Sequence, residues 1–463
     1  MIFLLLFLSL ICTAQSIDPL GYAEGYIEQQ LDPLNENSQE NFYQKYWHWK
    51  LPSTEEVKEH DTILLYLGGQ AGLKHGLYST EGDVAYMAQM ADDFAAELYS
   101  LEHRFYGKSE PLTSDTTRSA ALRHLTVENA IEDVRKFILV MNSLNKYRKP
   151  KWIVVGSSYS GLLAVLFRAA HPHLCSAVLA SSAPIHPQID FHGFDDFISH
   201  SYMEESECCY KEMKRLSYHI SLGETTSHRT VNKNALQVLS FQRAVYHAVQ
   251  FKSPSFNVTH ACEIISHTQL TPLTRARNLK KKAAQDFSGK SASKDLLLAH
   301  WQACSELGMF QSRKNESVIG SPLFLEDEDE ACKNMYNIDP THTIARTEAY
   351  IEDKWNSATN VVLTYGTSDP NRQLGHFRSD FEKNIFVVQI AGASQSNDLR
   401  TATREDPEEL VEGRRIIFHR LLALIQEGER MRSGLDEEED DDNLCVPCTM
   451  FTLVALTLGF VLY

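Results

Sequence analysis

The sequence predicts an α/β fold: a mostly parallel sheet with helices on both faces, plus an inserted helical cap. Three observations carry this. Short apolar runs alternate with helical patterns in strand–helix–strand order, which implies crossovers between parallel strands. That rhythm breaks after about residue 188 and resumes after about residue 335. One strand-to-helix junction carries the small-residue run Gly156-Ser-Ser-Tyr-Ser-Gly161.

Asp61 to Leu67 is an apolar run stopped by Gly68-Gly69 and reads as a buried strand. A second strand lies within Ala95 to Tyr106. Ala130, Ile131, Val134 and Ile138 sit at helical spacing in Val127 to Met141. Lys151 to Val155 is a strand, Gly161 to Ala170 a helix stopped by Pro172, and Ala177 to Ala180 another strand. Residues 188–335 are polar and helix-like, with five of the six core cysteines. Strands return at Asn360 to Tyr365 and Asn384 to Ile390. Asp406-Pro407 opens a last helix with Leu410, Ile417, Leu421 and Leu424 on one face, ended by Gly428. The stretches at 29–33 and 42–47 together read as an aromatic-rich entry segment.

The ends add expectations of their own. Met1 to Ala14 reads as a signal peptide, with an apolar stretch from Ile2 to Leu8. Export favours three disulfides among Cys175, Cys208, Cys209, Cys262, Cys304 and Cys332. The sequons at Asn257 and Asn315 are the glycosylation candidates. Residues 444–463 are apolar and uncharged, long enough for a helix rising about 1.5 Å per residue to cross a core of about 30 Å. Behind an acidic spacer, they suit a membrane anchor or a GPI signal. The predicted organisation is therefore a leader at 1–14, a discontinuous core at 20–187 and 336–430, a cap at 188–335, a spacer at 431–443 and an anchor at 444–463.

Net charge is −17, of which Asp436 to Asp442 supplies seven charges, so nucleic acid is excluded as a partner class. Hydrophobic residues at 43% and charged residues at 23% describe an ordinary globular chain. No metal-ligand spacing is present, and neither a metal nor another cofactor is expected.

The chemistry centres on Ser158. A sharp strand-to-helix turn needs small neighbours and lifts the serine hydroxyl to the carboxyl end of the sheet. This is the nucleophile elbow of an α/β-hydrolase fold. Ser160 stands where the strict pattern has its last glycine. The Tyr159 amide, at the helix start, is placed to stabilise an oxyanion, with Gly69 as the second candidate donor. Serine, acid, then base is the order this fold uses, and Asp369 in Gly366-Thr-Ser-Asp-Pro370 follows a strand as the orienting acid should.

Five ordered stretches resemble the family of lysosomal prolyl carboxypeptidase, dipeptidyl peptidase II and thymus-specific serine protease. They are Val155 to Ala164, Glu102 to Pro111, Ala180 to Pro184, Trp301-Gln-x-Cys304-x-Glu306-x-Gly308, and Asp398-Leu-Arg400 with Glu405 to Pro407. The similarity runs from about residue 22 to 427. It implies an α/β-hydrolase fold, peptide substrates or ligands, an extracellular, cell-surface or lysosomal location, and a homodimer as one admissible assembly.

The same resemblance exposes departures. Where the family has its catalytic histidine, the segment Gly392 to Arg400 has Gln395, followed by Ser396 and Asn397. An amide cannot take a proton from serine near neutral pH. Loss of a triad histidine costs on the order of a millionfold in kcat in a subtilisin-type site. Asn371 replaces a tryptophan, and Gln70 replaces an acid in the loop after the first predicted strand. Expected is therefore a serine exopeptidase relative with weak or no activity. The alternatives are an active enzyme cleaving after proline with a relocated base, His376 being the candidate, or a non-catalytic protein that binds peptides or a partner.

Overall fold

The computed structural model describes residues 22–49, 62–73, 84–111, 118–145, 147, 149–222, 231–286, 293–314, 317–320 and 322–433. The leader, Asn315, most of the acidic spacer and the apolar C-terminal stretch lie outside these residues. Among the described residues no helix is long and apolar enough to cross a membrane.

Among the described residues, eight strands form one sheet: β1 (Tyr22–Gln30), β2 (Asn41–Trp49), β3 (Thr62–Leu67), β4 (Glu97–Leu101), β5 (Lys151–Ser157), β6 (Ala177–Ser181), β7 (Val361–Gly366) and β8 (Ile385–Ile390). Their order is β1-β2-β4-β3-β5-β6-β7-β8. The first two pairings are antiparallel and the rest parallel. This is an α/β-hydrolase fold with a helical cap. The central strands are apolar throughout because helices cover both faces. Ile63, Leu65, Trp152, Val154, Val178 and Leu363 join the core on one face; Leu64, Ile153, Val155, Leu179 and Val362 join it on the other. Each such side chain, once buried, contributes about 1.5–3 kcal/mol.

The helices follow their patterns. Tyr159–Ala170 is apolar around nearly its whole circumference and lies deep against the sheet, beside Val127–Asn145. The last helix lies on the opposite face with Leu410, Ile417, Leu421 and Leu424 all buried. It runs to Ser433 and so does not end at Gly428. One interior glycine costs a helix only about 1 kcal/mol, which does not stop it.

β1 and β2, read from sequence only as an aromatic entry, are nine-residue strands in antiparallel register, with β1 at the edge of the sheet. Their polar positions concealed them: Gln29 and Gln44 are buried but hydrogen-bonded to each other at 2.8 Å.

Between β6 and β7 the chain folds into helices with a core of their own, including Phe194, Tyr202, Met213, Phe241 and Ile265. Leu374, from the turn after β7, packs into that core, so cap and sheet loops meet there. Among the described residues there are two disulfides, not the three expected from the six core cysteines: Cys209–Cys262 and Cys304–Cys332. Cys208 and Cys209 are consecutive on helix Glu207–Leu222, and only Cys209 turns inward toward Cys262. Cys175 is buried, with its thiol donating to Ala177 O at 3.1 Å.

Candidate active site

Strand β5 ends at Ser157 and the next helix begins at Tyr159, so Ser158 alone makes the turn. Its φ of 54° and ψ of −122° put it in a region that non-glycine residues seldom occupy. Such strain persists only when the surroundings over-determine it. Here the Ser158 amide is tied to Ser181 O at 2.8 Å. Gly156 is obligatory, since a Cβ there would lie 2.1 Å from Ser160 O. The serine in place of the last small glycine is also explained. Ser160 Oγ accepts from the Ser157 amide and donates to Ser157 O, both at 3.0 Å, so its hydroxyl closes the turn from within.

The Tyr159 amide stands at the helix N-terminus, where backbone donors lack intrahelical partners. Gly69 follows β3 close by: a Cβ on it would lie 3.9 Å from Ser160 Oγ. Both oxyanion candidates therefore flank the elbow.

Three chain segments converge on the corner Ser181-Ser182. The first is the elbow. The second is the turn after β7, where Asp369 caps the short helix Pro370–Leu374 and its Oδ1 accepts the Asn371 amide at 2.9 Å. Asp369 is fully buried, and burial pushes its carboxyl up to about 7. The Ser182 hydroxyl opposes that rise without completing a hydrogen bond of ordinary geometry to Oδ2. The third is the loop after β8. Its Ser396 amide donates to Ser182 Oγ at 2.9 Å, and its hydroxyl lies 2.6 Å from Ser157 Oγ. Asp398 roots this loop, accepting from Ser181 Oγ at 2.6 Å and Thr364 Oγ1 at 2.9 Å. Arg414 braces it by donating to the carbonyls of Asn397, Asp398 and Arg400.

Gln395 heads that third loop. It is buried, its amide donates to Gln250 O at 3.1 Å, and its side-chain oxygen accepts from Gln250 Nε2. Ser394 Oγ and Arg400 reach the next cap carbonyl, that of Phe251. Sequence reasoning missed Gln250: a glutamine at a helix end carries no signal of its contact 145 residues away.

Two histidines, His376 and His103, each have partners of their own. His376 lies 3.3 Å from His186, against Trp355, with its amide on the Tyr365 hydroxyl. His103 is buried behind the elbow, and burial lowers it to about 4. Its Nδ1 faces the Arg104 carbonyl, which can only accept, so the ring is a neutral Nδ1–H tautomer. Nε2 then accepts from the Tyr159 hydroxyl at 3.1 Å, and that hydroxyl accepts from Gln302 Nε2 at 3.0 Å. Gln302 Oε1 takes Tyr106 OH at 2.5 Å and Gln70 Nε2 at 3.1 Å. Gln70 thus tethers its loop to a cap helix. Asn257 caps helix Val258–Ser266 through its carbonyl oxygen, not the amide nitrogen a sugar would take.

A family model described as serine carboxypeptidase S28 matches residues 29–250 and 231–417. The chain is similar to the thymus-specific serine protease of Homo sapiens, 25% identical over 472 residues, covering 87% of this chain and 86% of that protein. It is similar to the lysosomal Pro-X carboxypeptidase of Bos taurus, 23% identical over 436 residues, covering 84% and 85%. Among solved structures, it is similar to a proline iminopeptidase of Mycobacterium smegmatis, at 12% identity and a TM-score of 0.40, covering 83% of this chain and 97% of that one.

Proposed function

Because this chain belongs to the serine carboxypeptidase S28 family, we propose that it is a peptide-binding relative in which peptidase activity is weak or absent. The observation that carries the proposal is Gln395. It stands at the head of the loop that meets the elbow and the Asp369 turn, and its amide is engaged with Gln250 of the cap. Ser158 and Asp369 are taken as the retained nucleophile and orienting acid, with the Tyr159 and Gly69 amides as oxyanion donors. Without an imidazole between Ser158 and Asp369, the Ser158 hydroxyl lacks the base that this fold uses to receive its proton.

The relatives named for prolyl cleavage and for the lysosome support peptides as ligands and a secretory or lysosomal route. Glycosylation at Asn257 and Asn315, and attachment to a membrane through residues 444–463, belong to the same proposal.

The test is turnover of proline-containing peptides from pH 4 to 8, with fluorophosphonate labelling in parallel. The expected result is labelling and turnover barely above the Ser158→Ala variant. Robust turnover that depends on Ser158 overturns the proposal. Loss of that turnover in His376→Ala would then identify His376 as a relocated base.

A further inference from the structure

A cavity of about 150 Å³, none of whose lining residues belongs to the elbow, lies where the cap meets the sheet's helices. Its walls come from the turn before helix Val127–Asn145, from Trp301 to Glu306 of the cap, and from helix Pro340–Ser357. The volume is that of about five waters, the size of a small organic molecule. Its lining is mixed. Leu125, Trp301 and Tyr350 give an apolar wall; Arg123 and Arg346 bring cationic groups; Ser305 and Glu306 bring polar ones.

Two of these groups point to a ligand. The Ser305 hydroxyl is buried and has no hydrogen-bond partner. An orphaned hydroxyl of this kind costs about 1–3 kcal/mol unless something completes it. Glu306 is 8% exposed, and its Oε2 accepts only a backbone amide, that of Val127 at 2.9 Å. Arg346, at the solvent end, is paired with Glu128 at 2.7 Å, and Arg123 Nε donates to His124 at 3.0 Å. Each guanidinium has five N–H groups, so both keep donors beyond those bonds.

We propose that this cavity binds a small zwitterionic amino acid. Its ammonium sits on Glu306 with the Ser305 hydroxyl rotating to meet it, its carboxylate faces Arg123 and Arg346, and an aliphatic side chain lies against Leu125, Trp301 and Tyr350. The site is separate from the elbow and stands whether or not Ser158 is active.

The electrostatics give the site a signature. Burial pushes Glu306 up to about 8, with the Val127 amide opposing, Glu128 reinforcing and Arg346 opposing. Tyr159 also faces Glu306 and, being raised well above its ordinary value by burial, is neutral at these pH values. Near pH 7 the Glu306 carboxyl therefore carries its proton. An arriving ammonium favours the carboxylate, so the O–H bond breaks and the proton passes to the buffer.

The experiment is titration calorimetry of the full chain with L-leucine at pH 7, in two buffers of different ionisation enthalpy. Saturable binding with net proton release is expected. N-acetyl-leucine, lacking the ammonium, and leucinamide, lacking the carboxylate, should each bind at least tenfold more weakly. Glu306→Gln keeps an acceptor for the Val127 amide but should weaken leucine at least tenfold and abolish proton release. Ser305→Ala removes only the orphaned hydroxyl and should weaken it severalfold. Ser158→Ala should leave it unchanged. Absence of binding at 10 mM, an approximate ceiling for ligand of this size, overturns the proposal. So does binding that survives both Glu306→Gln and Ser305→Ala, or that is blocked by a fluorophosphonate on Ser158. Should Glu306→Gln fail to fold, Ser305→Ala and the buffer comparison decide alone.

Discussion

At the scale of single residues, the difference between a base and an amide dominates. The loop carrying Gln395 is held from below by Asp398 and Arg414, and neither contact involves the Gln395 side chain. Gln395→His should therefore leave the loop in place and set an imidazole between Asp369 and Ser158. Fluorophosphonate labelling should rise at least tenfold, an increment well inside the range one general base supplies, about 10²–10⁴. Adding Gln250→Ala should raise it further, because Gln250 otherwise competes for the new side chain. Ser158→Ala must abolish both gains. If neither variant labels faster than wild type, Gln395 is not the vacated base position. The positions of Ser158 and Asp369 just after strands could be read from the sequence, and Gln395 was singled out by the family resemblance; the roles of all three are part of the proposal. Gln250 and Ser182 were not legible in the sequence. Their roles rest on contacts between segments far apart in the chain, for which no local pattern exists.

At the scale of elements, the segment Glu102 to Ser109 shows how a loop becomes rigid. Arg104 is fully buried and donates twice to Asp133 at 2.7 Å. It also reaches the carbonyls of Gln30, Leu31 and His124, so one guanidinium joins β1, the loop after β4 and helix Val127–Asn145. Glu102 closes the other side, accepting from the amides of Leu73 and Lys108 and from Ser109 Oγ at 2.6 Å. Gly107 has a φ of +55°, and a Cβ there would lie 2.0 Å from Glu102 Oε1, so only glycine fits. Arg104→Ala should cost about 3–5 kcal/mol, because it strands Asp133 as an uncompensated buried charge. Denaturant titration would measure this, and a loss below about 1 kcal/mol would mean water replaces the guanidinium. The motif was visible as a family resemblance, but its purpose was not. The two N-terminal strands it braces were hidden by buried glutamines, since period-two reading looks for apolar residues at inward positions.

At the scale of the whole molecule, buried carboxyls set the response to pH. Burial raises Asp369 to about 7 and Glu306 to about 8, above the ordinary carboxylate values they would have in the unfolded chain. Between those ordinary values and pH 8, the folded state binds more protons than the unfolded state. Stability from these groups is complete in acid and is lost as pH rises through 7 to 8. His103 acts in the opposite sense, being held neutral at about 4, but its effect begins only below the usual histidine range near 6.5. The chain should therefore melt at a higher temperature at pH 6.5 than at pH 8. Asp369→Asn should flatten part of that slope. A melting temperature that rises from pH 6.5 to 8 would contradict the burial of these two acids.

Both disulfides lie wholly within the segment between β6 and β7. Cys209–Cys262 closes a loop of 53 residues and Cys304–Cys332 one of 28. No described bridge crosses from that segment to the sheet. On the chain-entropy account each closure is worth roughly 4 kcal/mol, and all of it accrues to the cap. The two parts thus differ in how they are held: the sheet rests on apolar layers alone, while the cap adds its two disulfides to an apolar core of its own. A reductant distinguishes them. Mild thiol treatment should open a separate, lower-temperature calorimetric transition for the cap, while the main transition of the sheet stays where it was. In a compartment that reduces disulfides, this protein would first come apart at its roof, exposing the elbow before the scaffold beneath it gives way.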